Sequence, residues 1–557
     1  MRSIEDGLPG PLLQAIASVS ILVVHYTTAK GRFENMDDRI SGDEVLAIDA
    51  GTQGLSVILY CPERKRIVAV GEANYEKDYI PGLPDGKLEQ YPHYWSDALR
   101  AAMVDLRKNV AQTNQTVDRV SAIGVTGHMH CMVRVDDSGK KPFGCDMWND
   151  PRGVTESEEL TAMFGEHMPA RWTGCHVLAR MKAEPEEWQK AAGVSVTSGS
   201  LVHDLSGEWV LGPGDASGMF GNLDAEGQID RTKLRKIDAF MEGHFRPLEE
   251  LVPRIVPAGE VAARLSEAGS QLLGGLPVGT PIAAPEGDQQ TTLVATAAGE
   301  LELAISAGTS FTGNLPCRTK MVAESETINV LQTPDQLTML MVCARNGTIG
   351  FAQYVAALSE LTGRSFQQVA DQLTDLAQQV PTDCNGTMLW GFFQGENVVE
   401  LPHAKATLRG AGIDLLSNPG VMARMLLESP CMTMRYGVEN LRPKIGDVKQ
   451  VILTGGALKS KDGFAPQMFA DILGVPVLGR TGDEEGTAKG AALLAAFMAQ
   501  KQATNTDQSL SEFCKEQTQG DAHTWEPETQ RAKEYDARYQ QFAEFVGEEQ
   551  QRESGNA

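Results

Sequence analysis

The feature that most limits what this chain can become is a strand–turn–strand unit that occurs twice, far apart in sequence. In the first, Glu44 to Tyr60, two apolar strand-like runs flank Asp49-Ala-Gly-Thr-Gln-Gly54. The second, Glu300 to Arg318, surrounds Ser306-Ala-Gly-Thr-Ser310. Apolar runs on both sides of a Gly-rich turn predict a β-hairpin in each case. Ordinary hairpin turns would carry such glycines too. Two similar turns, one in each half of the chain, also suit a nucleotide clamp. Backbone N–H groups and hydroxyls of Gly51, Thr52 and Gln53, and of Gly308, Thr309 and Ser310, can hold phosphate oxygens. Asp49 ends a buried-looking strand at its turn, where an acid can hold Mg²⁺ directly or through water.

The 557 residues are too many for one ordinary core, so at least two domains are expected. A formal net charge of -25 gives no general attraction to nucleic acid or to an anionic membrane, and neither is expected as a partner. It does not exclude an anionic nucleotide, because backbone N–H groups and Mg²⁺ can make a site locally positive. The nine cysteines are scattered, odd in number and without metal-site spacing. Reduced thiols and a cytoplasmic location are the corresponding expectation. Leu12 to Tyr26 is mostly apolar, but short for a membrane span and poorly flanked for a secretion signal. Residues 1–43 therefore read as a poorly ordered extension.

Further along, Tyr91 to Leu106 carries Trp95, Leu99, Met103 and Leu106 at helical spacing. The buried strand Val120 to Val125 opens into Thr126-Gly-His-Met-His-Cys131. With no Cys/His cluster around them, these histidines read as pocket hydrogen-bonding residues rather than metal ligands. Trp148-Asn-Asp-Pro-Arg152 offers an apolar face and several polar groups, which suits a polyhydroxylated ligand, although a turn with a packed Trp gives the same pattern. Gly287-Asp288 places a carboxylate on a tight turn, ahead of the second hairpin. Val451 to Thr454 followed by Gly455-Gly456 lets backbone approach a ligand closely, as an adenine–ribose seat needs. A plain strand–helix turn remains the alternative. Phe351–Leu361, Phe366–Leu376 and Val421–Leu441 read as helices. The tail beyond Lys501 is polar, but Tyr535, Tyr539, Phe542 and Val546 fall at helical spacing, so part of it is expected to dock as a helix.

Taken in order, Asp49-Ala-Gly-Thr, Gly127-His-Met-His130, Trp148-Asn-Asp-Pro-Arg152, Gly287-Asp288, Ser306-Ala-Gly-Thr-Ser310, Leu453-Thr-Gly-Gly-Ala-Leu-Lys-Ser460 and Glu485-Gly-Thr-Ala-Lys-Gly-Ala-Ala492 resemble the FGGY carbohydrate kinases over about residues 44–498. Within that family the motifs are most similar to the xylulokinase branch, through Met129-His130, Arg171-Trp-Thr-Gly174 and Asp215-Ala-Ser-Gly-Met219. The resemblance implies an α/β fold of two actin-like (ribonuclease H-like) ATPase domains with a cleft between them. It implies an N-terminal domain at 44–297, a C-terminal domain at 298–500, and a polar, partly helical tail at 501–557. It also implies ATP-dependent phosphorylation of a ketopentose, D-xylulose first, with ATP and Mg²⁺ and with Asp288 as general base. The implied sugar contacts are Met129, His130, Trp148, Asp150, Arg171, Asp288 and Gln289. The implied ATP contacts are Gly51, Thr52, Gln53, Gly308, Thr309, Ser310, Gly455, Gly456, Ala457 and Ser460, with Asp49 at the metal. A homodimer is the assembly considered. Departures from the family pattern are His176, Ala179, Gln289 and Ser460, where Lys, Trp, Asn and Asn are usual. The rival readings are a kinase for ribulose, sedoheptulose or glycerol, and a non-catalytic actin-like or chaperone-like ATP-binding protein.

Overall fold

The computed structural model describes residues 40–555, apart from residues 85, 113, 244, 457–460, 482–485, 505 and 519. Most of the expected N-terminal extension therefore lies outside the described residues, as do Ala457 and Ser460.

Two mixed sheets repeat one plan. The first is built from β1 (Val45–Ala50), β2 (Gly54–Cys61), β3 (Arg66–Asn74), β4 (Ala122–Gly127), β5 (Val261–Arg264), β6 (Pro281–Ala283) and β7 (Glu286–Gly287). Its order is β5-β6-β4-β1-β2-β3, with β7 also pairing β4. The second contains β8 (Glu302–Ala307), β9 (Phe311–Cys317), β10 (Asn329–Gln332), β11 (Thr338–Ala344), β12 (Gln450–Gly455), β13 (Val477–Thr481) and β14 (Asp521–Trp525), in the order β10-β11-β9-β8-β12-β13-β14. In each sheet the hairpin's first strand pairs antiparallel with its second and parallel with a later strand. These inner strands are covered on both faces, so they read as apolar runs rather than as alternations.

The registers match residue by residue. Asp49 and Ala50 lie opposite Thr126 and Gly127 on β4, and Ser306 and Ala307 lie opposite Thr454 and Gly455 on β12. Both hairpins therefore end beside a Thr-Gly step, at the same edge of equivalent sheets.

The helices used below are α1 (Pro92–Ala111), α2 (Thr173–Ala183), α3 (Thr197–Ser206), α4 (Pro213–Phe220), α5 (Asp288–Thr296), α6 (Pro419–Ile445), α7 (Phe464–Leu473), α8 (Thr487–Thr504), α9 (Leu510–Gln517) and α10 (Thr529–Glu553). The expected face of α1 (Trp95, Leu99, Met103, Leu106) is buried on the first sheet. The two mid-chain helices occur at Ile349–Thr362 and Phe366–Gln378.

Packing in space crosses the sequence boundary between the two halves. Helix α8, assigned by sequence to the second domain, packs on β1, β2 and β4 of the first sheet and on α5. Small residues permit the approach: a Cβ on Gly124 would sit 2.1 Å from the Ala491 carbonyl oxygen, and one on Gly490 would sit 1.9 Å from that of Thr291. The chain thus leaves β13 of the second sheet and crosses back to the first. The tail spans both domains as well. Leu510, Phe513 and Cys514 of α9 join the core beneath α8, while β14 extends the second sheet and α10 buries Tyr535, Tyr539, Phe542 and Val546 in the second core. A third core lies under the pocket helices and includes Met339 and Met341 of β11, so the two domains share apolar packing.

Candidate functional site

The first hairpin turn closes on itself and leaves donors free. Gly51 N–H donates to the Gly54 carbonyl (2.9 Å), Tyr75 Oη donates to the Gly51 carbonyl (2.8 Å), and Gln90 Nε2 donates to that of Thr52 (2.8 Å). No acceptor for the Thr52 or Gln53 N–H is found among the described residues. The second turn is made alike. Gly308 N–H donates to Ser310 O (3.1 Å), and Thr348 donates to Gly308 O through its N–H (3.0 Å) and its Oγ1 (2.8 Å). Turns whose carbonyls are engaged and whose N–H groups are free are anion cradles.

Asp49 stands at the base of the first turn. Burial pushes its carboxyl up to about 6, against a hydrogen bond from Thr487 Oγ1 and the charge of His128. Thr487 opens α8, so the crossing helix brings its N-terminus to Asp49, where its dipole favours negative charge. Asp288 is the first residue of α5, after an extended Gly287. Burial raises its carboxyl to about 6, His128 opposes this, and the Asp49 charge adds to it. The two acids therefore share one electrostatic neighbourhood.

His128 joins them. Its ring Nδ1 lies 2.9 Å from the Ala50 carbonyl and its Nε2 3.0 Å from Thr197 Oγ1. Burial alone would push this imidazole down, but Cys131, the Ala50 carbonyl and Asp288 outweigh it and hold it above its usual range. Two residues on, His130 adopts the left-handed region (φ 68°), unusual for a residue with a Cβ. Its Nδ1 lies 3.2 Å from the Gly218 carbonyl, and its ring stacks at 6.0 Å on Trp172. Burial and the Arg171 charge lower its pKa to about 3, so the imidazole is neutral, with Nε2 as an acceptor.

The remaining candidates are placed as follows. Met129 is buried against Gly287 and Gly218, where a Cβ on either glycine would strike it. Trp148 is 40 % exposed, and its Nε1 lies 3.3 Å from Thr52 Oγ1, at the first turn. Asp150 is committed elsewhere: its oxygens accept from Leu88 N–H (2.6 Å) and from the Arg152 guanidinium (2.7 and 2.8 Å). Arg171 reaches the second domain, donating to Asn329 Oδ1 (2.6 Å) with Glu326 at 3.8 Å. Gln289 Oε1 accepts from Asn314 Nδ2 of β9 (3.3 Å). Gly455 has φ 86°, and a Cβ there would lie 2.8 Å from the Ala307 carbonyl oxygen, so glycine is required beside the second turn. Gly456 follows directly.

Sequence reasoning gave His128 only a general pocket role, and it passed over Thr487 and the capping role of Glu286. Glu286 accepts from Gly214 N–H (3.2 Å) and Asp215 N–H (2.8 Å) and so caps α4. The available signals were the His after the Thr126-Gly127 step and the Thr opening the small-residue helix α8. Among the described residues no group of three or more His, Cys, Asp or Glu could hold a metal ion. An ion at Asp49 would thus be held by a lone carboxylate together with phosphate oxygens and water, a mode that suits Mg²⁺.

Two sheets of one plan, each with a phosphate-type turn, and a half-buried acid pair beside the first turn define a two-domain, actin-like ATPase fold. Comparison with solved structures agrees: a xylulose kinase from Rhodospirillum rubrum superposes with a TM-score of 0.77 at 21% identity, covering 90% of this chain and 98% of that one. The descriptions of the FGGY family of carbohydrate kinases match residues 44–295 (N-terminal domain) and 303–499 (C-terminal domain), and the chain belongs to that family. It is a carbohydrate kinase. Among curated relatives, a xylulose kinase of Haemophilus influenzae is 25% identical over 466 residues, covering 81% of this chain and 90% of that protein. A glycerol kinase of Beutenbergia cavernae is 26% identical over 481 residues, covering 82% and 89%. Among the described residues no helix is long and apolar enough to cross a membrane.

Proposed function

We propose that this kinase transfers the γ-phosphoryl group of ATP to a ketopentose, D-xylulose yielding D-xylulose 5-phosphate, with Asp288 as general base. The observation that carries the reading is the neighbourhood of Asp288. It is a half-buried carboxylate at a helix start, raised to about 6, beside Met129 and the first phosphate turn. A base of that pKa is ionised at neutral pH and still accepts a proton readily.

Asp288 takes the proton of the attacking hydroxyl. The hydroxyl oxygen bonds to the γ-phosphorus as the bond to the β–γ bridging oxygen breaks, and ADP leaves. His130 Nε2, the Arg171 guanidinium and Gln289 hold sugar hydroxyls, and Met129 packs on the carbon skeleton. The free N–H groups of the two turns hold phosphate oxygens. Asp49 would hold Mg²⁺, which supplies charge neutralisation on the phosphates. Arg171, through Asn329, ties the sugar side to the second domain, so an occupied pocket favours a closed cleft that excludes water.

A coupled assay of ADP formation over ketopentoses, heptuloses, glycerol and gluconate tests this. D-xylulose should give the highest kcat/KM. A higher value for glycerol or another polyol replaces the substrate, and ATP turnover indifferent to every sugar removes the reading.

A further inference from the structure

Asp215 belongs to none of the roles above, yet it is the most conspicuous unused acid beside Asp288. It lies in the first turn of α4, 1 % exposed. Ser198 Oγ donates to its Oδ2 (2.6 Å), while its Oδ1 is buried and finds no partner. The helix that carries it is a wall of the pocket. Its Gly218 carbonyl meets His130, a Cβ at Gly218 would lie 2.7 Å from the His130 ring, and its Gly214 packs on Gln290 of α5. A buried carboxyl oxygen with no partner is costly unless something occupies it.

We propose that the free Oδ1 of Asp215 binds a hydroxyl of the sugar next to the one Asp288 deprotonates, making Asp215 a second acid of the substrate pocket. The inference rests on the kinase reading above and deepens it. The titratable groups facing Asp215 are Asp288 from α5, Glu286 from β7, and His128 and Cys131 from the loop after β4. Burial first, and then the charge of Asp288, push the Asp215 carboxyl up to about 8, against the Ser198 hydrogen bond and His128. Below that pH the group is neutral, so Oδ1 can carry the hydrogen and donate. Above it a second negative charge appears beside Asp288 and the donor is lost. A neutral carboxylic acid kept as a donor in an apolar site is established chemistry elsewhere.

The test uses the full-length enzyme and compares Asp215→Ala with Asp215→Asn. Sugar-dependent ADP formation is measured from pH 6 to 10, alongside sugar binding without nucleotide, read by tryptophan fluorescence. Asp215→Ala should raise the sugar KM about tenfold or more while the ATP KM changes less than about twofold. Asp215→Asn retains a donor and should keep the sugar KM within about threefold at pH 7. It should also abolish the rise in sugar KM that the wild type shows above pH 8. An unchanged sugar KM in Asp215→Ala, equal losses for sugar and ATP, or an alkaline rise that persists in Asp215→Asn overturns the assignment. A wild-type enzyme that responds to no sugar overturns the underlying kinase reading instead, and this assignment with it.

Discussion

The two hairpins are near copies that differ where the chemistry lies. Ala47-Ile-Asp-Ala-Gly-Thr52 and Ala304-Ile-Ser-Ala-Gly-Thr309 differ in one residue, Asp against Ser. Both sit beside a Thr-Gly step in the same register, and both leave turn N–H groups free. The first loop is longer, with residues 51–54 between the paired Ala50 and Leu55, where residues 308–310 separate Ala307 and Phe311. The first is also the one surrounded by acids, namely Asp49, Asp215, Glu286 and Asp288, with His128 among them. The second turn, Ser306–Ser310, carries no acid at all. A duplicated cradle accounts for gripping a polyphosphate from two sides. On the proposed reading, the asymmetry would confine proton transfer and metal binding to one side, so that the other could grip phosphate without repelling it.

The largest expected effect breaks the acidic side outright. Asp288→Asn preserves shape and removes the base, and kcat should fall by about 10²–10⁴-fold with ATP binding retained. Next comes Asp49→Ser, which turns the first turn into a copy of the second. The fold already accommodates Ser at the equivalent position, so the variant should fold, and turnover should drop by about 10²-fold or more through loss of electrostatic support. Its stability should rise. Asp49 has a folded pKa of about 6, above its unfolded value, so the folded state binds the extra proton between those values and is penalised above pH 6. Removing the acid should relieve up to about 3 kcal/mol at pH 8, and little at pH 4. Thermal melts at the two pH values check this, and an equal or lower Tm at pH 8 would show that Asp49 is compensated in the folded state. The reverse exchange, Ser306→Asp, puts an acid on the phosphate-only side. It should raise the ATP KM on the order of tenfold and leave sugar binding without nucleotide unchanged.

What could be read beforehand follows the same division. The hairpins, their turns and the docking of the tail through Tyr535, Tyr539, Phe542 and Val546 were legible, because each is written in a short stretch with its own periodicity or turn chemistry. Asp49 and Asp288 were legible as candidates for the same reason. Their partners were not. Thr487 reaches Asp49 from 438 positions away, and Asn314 reaches Gln289 across the domain boundary. Helix α8 was assigned with the strand that precedes it, because no local pattern distinguishes a helix that returns to the first sheet from one that stays. Asp150 was named in sequence as a sugar contact through the family resemblance, and its bonds from Arg152 and Leu88 appear only in space. Burial of a carboxylate and the identity of its neighbours are tertiary facts, and so were beyond a reading of spacing.

The smallest expected effect sharpens the comparison at that contact. Thr487 Oγ1 donates to Asp49, which favours the ionised carboxylate. Thr487→Val keeps the β-branched shape and removes the donor, so the Asp49 pKa should rise from about 6. The Asp49 charge raises Asp288, so the low-pH fall of kcat belongs to the pair rather than to either acid. On the proposed mechanism turnover needs both ionised, and that fall should therefore move toward neutral pH. A lost hydrogen bond to a charged group is worth roughly 1.5 kcal/mol, or about one pH unit. Activity at pH 8.5 should stay within about twofold of wild type and drop by several-fold at pH 6.5. The control lies on the second side, where Thr454 Oγ1 donates, among the described residues, to the Ile305 carbonyl (3.4 Å). Thr454→Val should leave the low-pH fall where it is. If both substitutions shift it equally, the acid pair responds to general loosening around the two hairpins, and the division of labour between them is weaker than their one-residue difference implies.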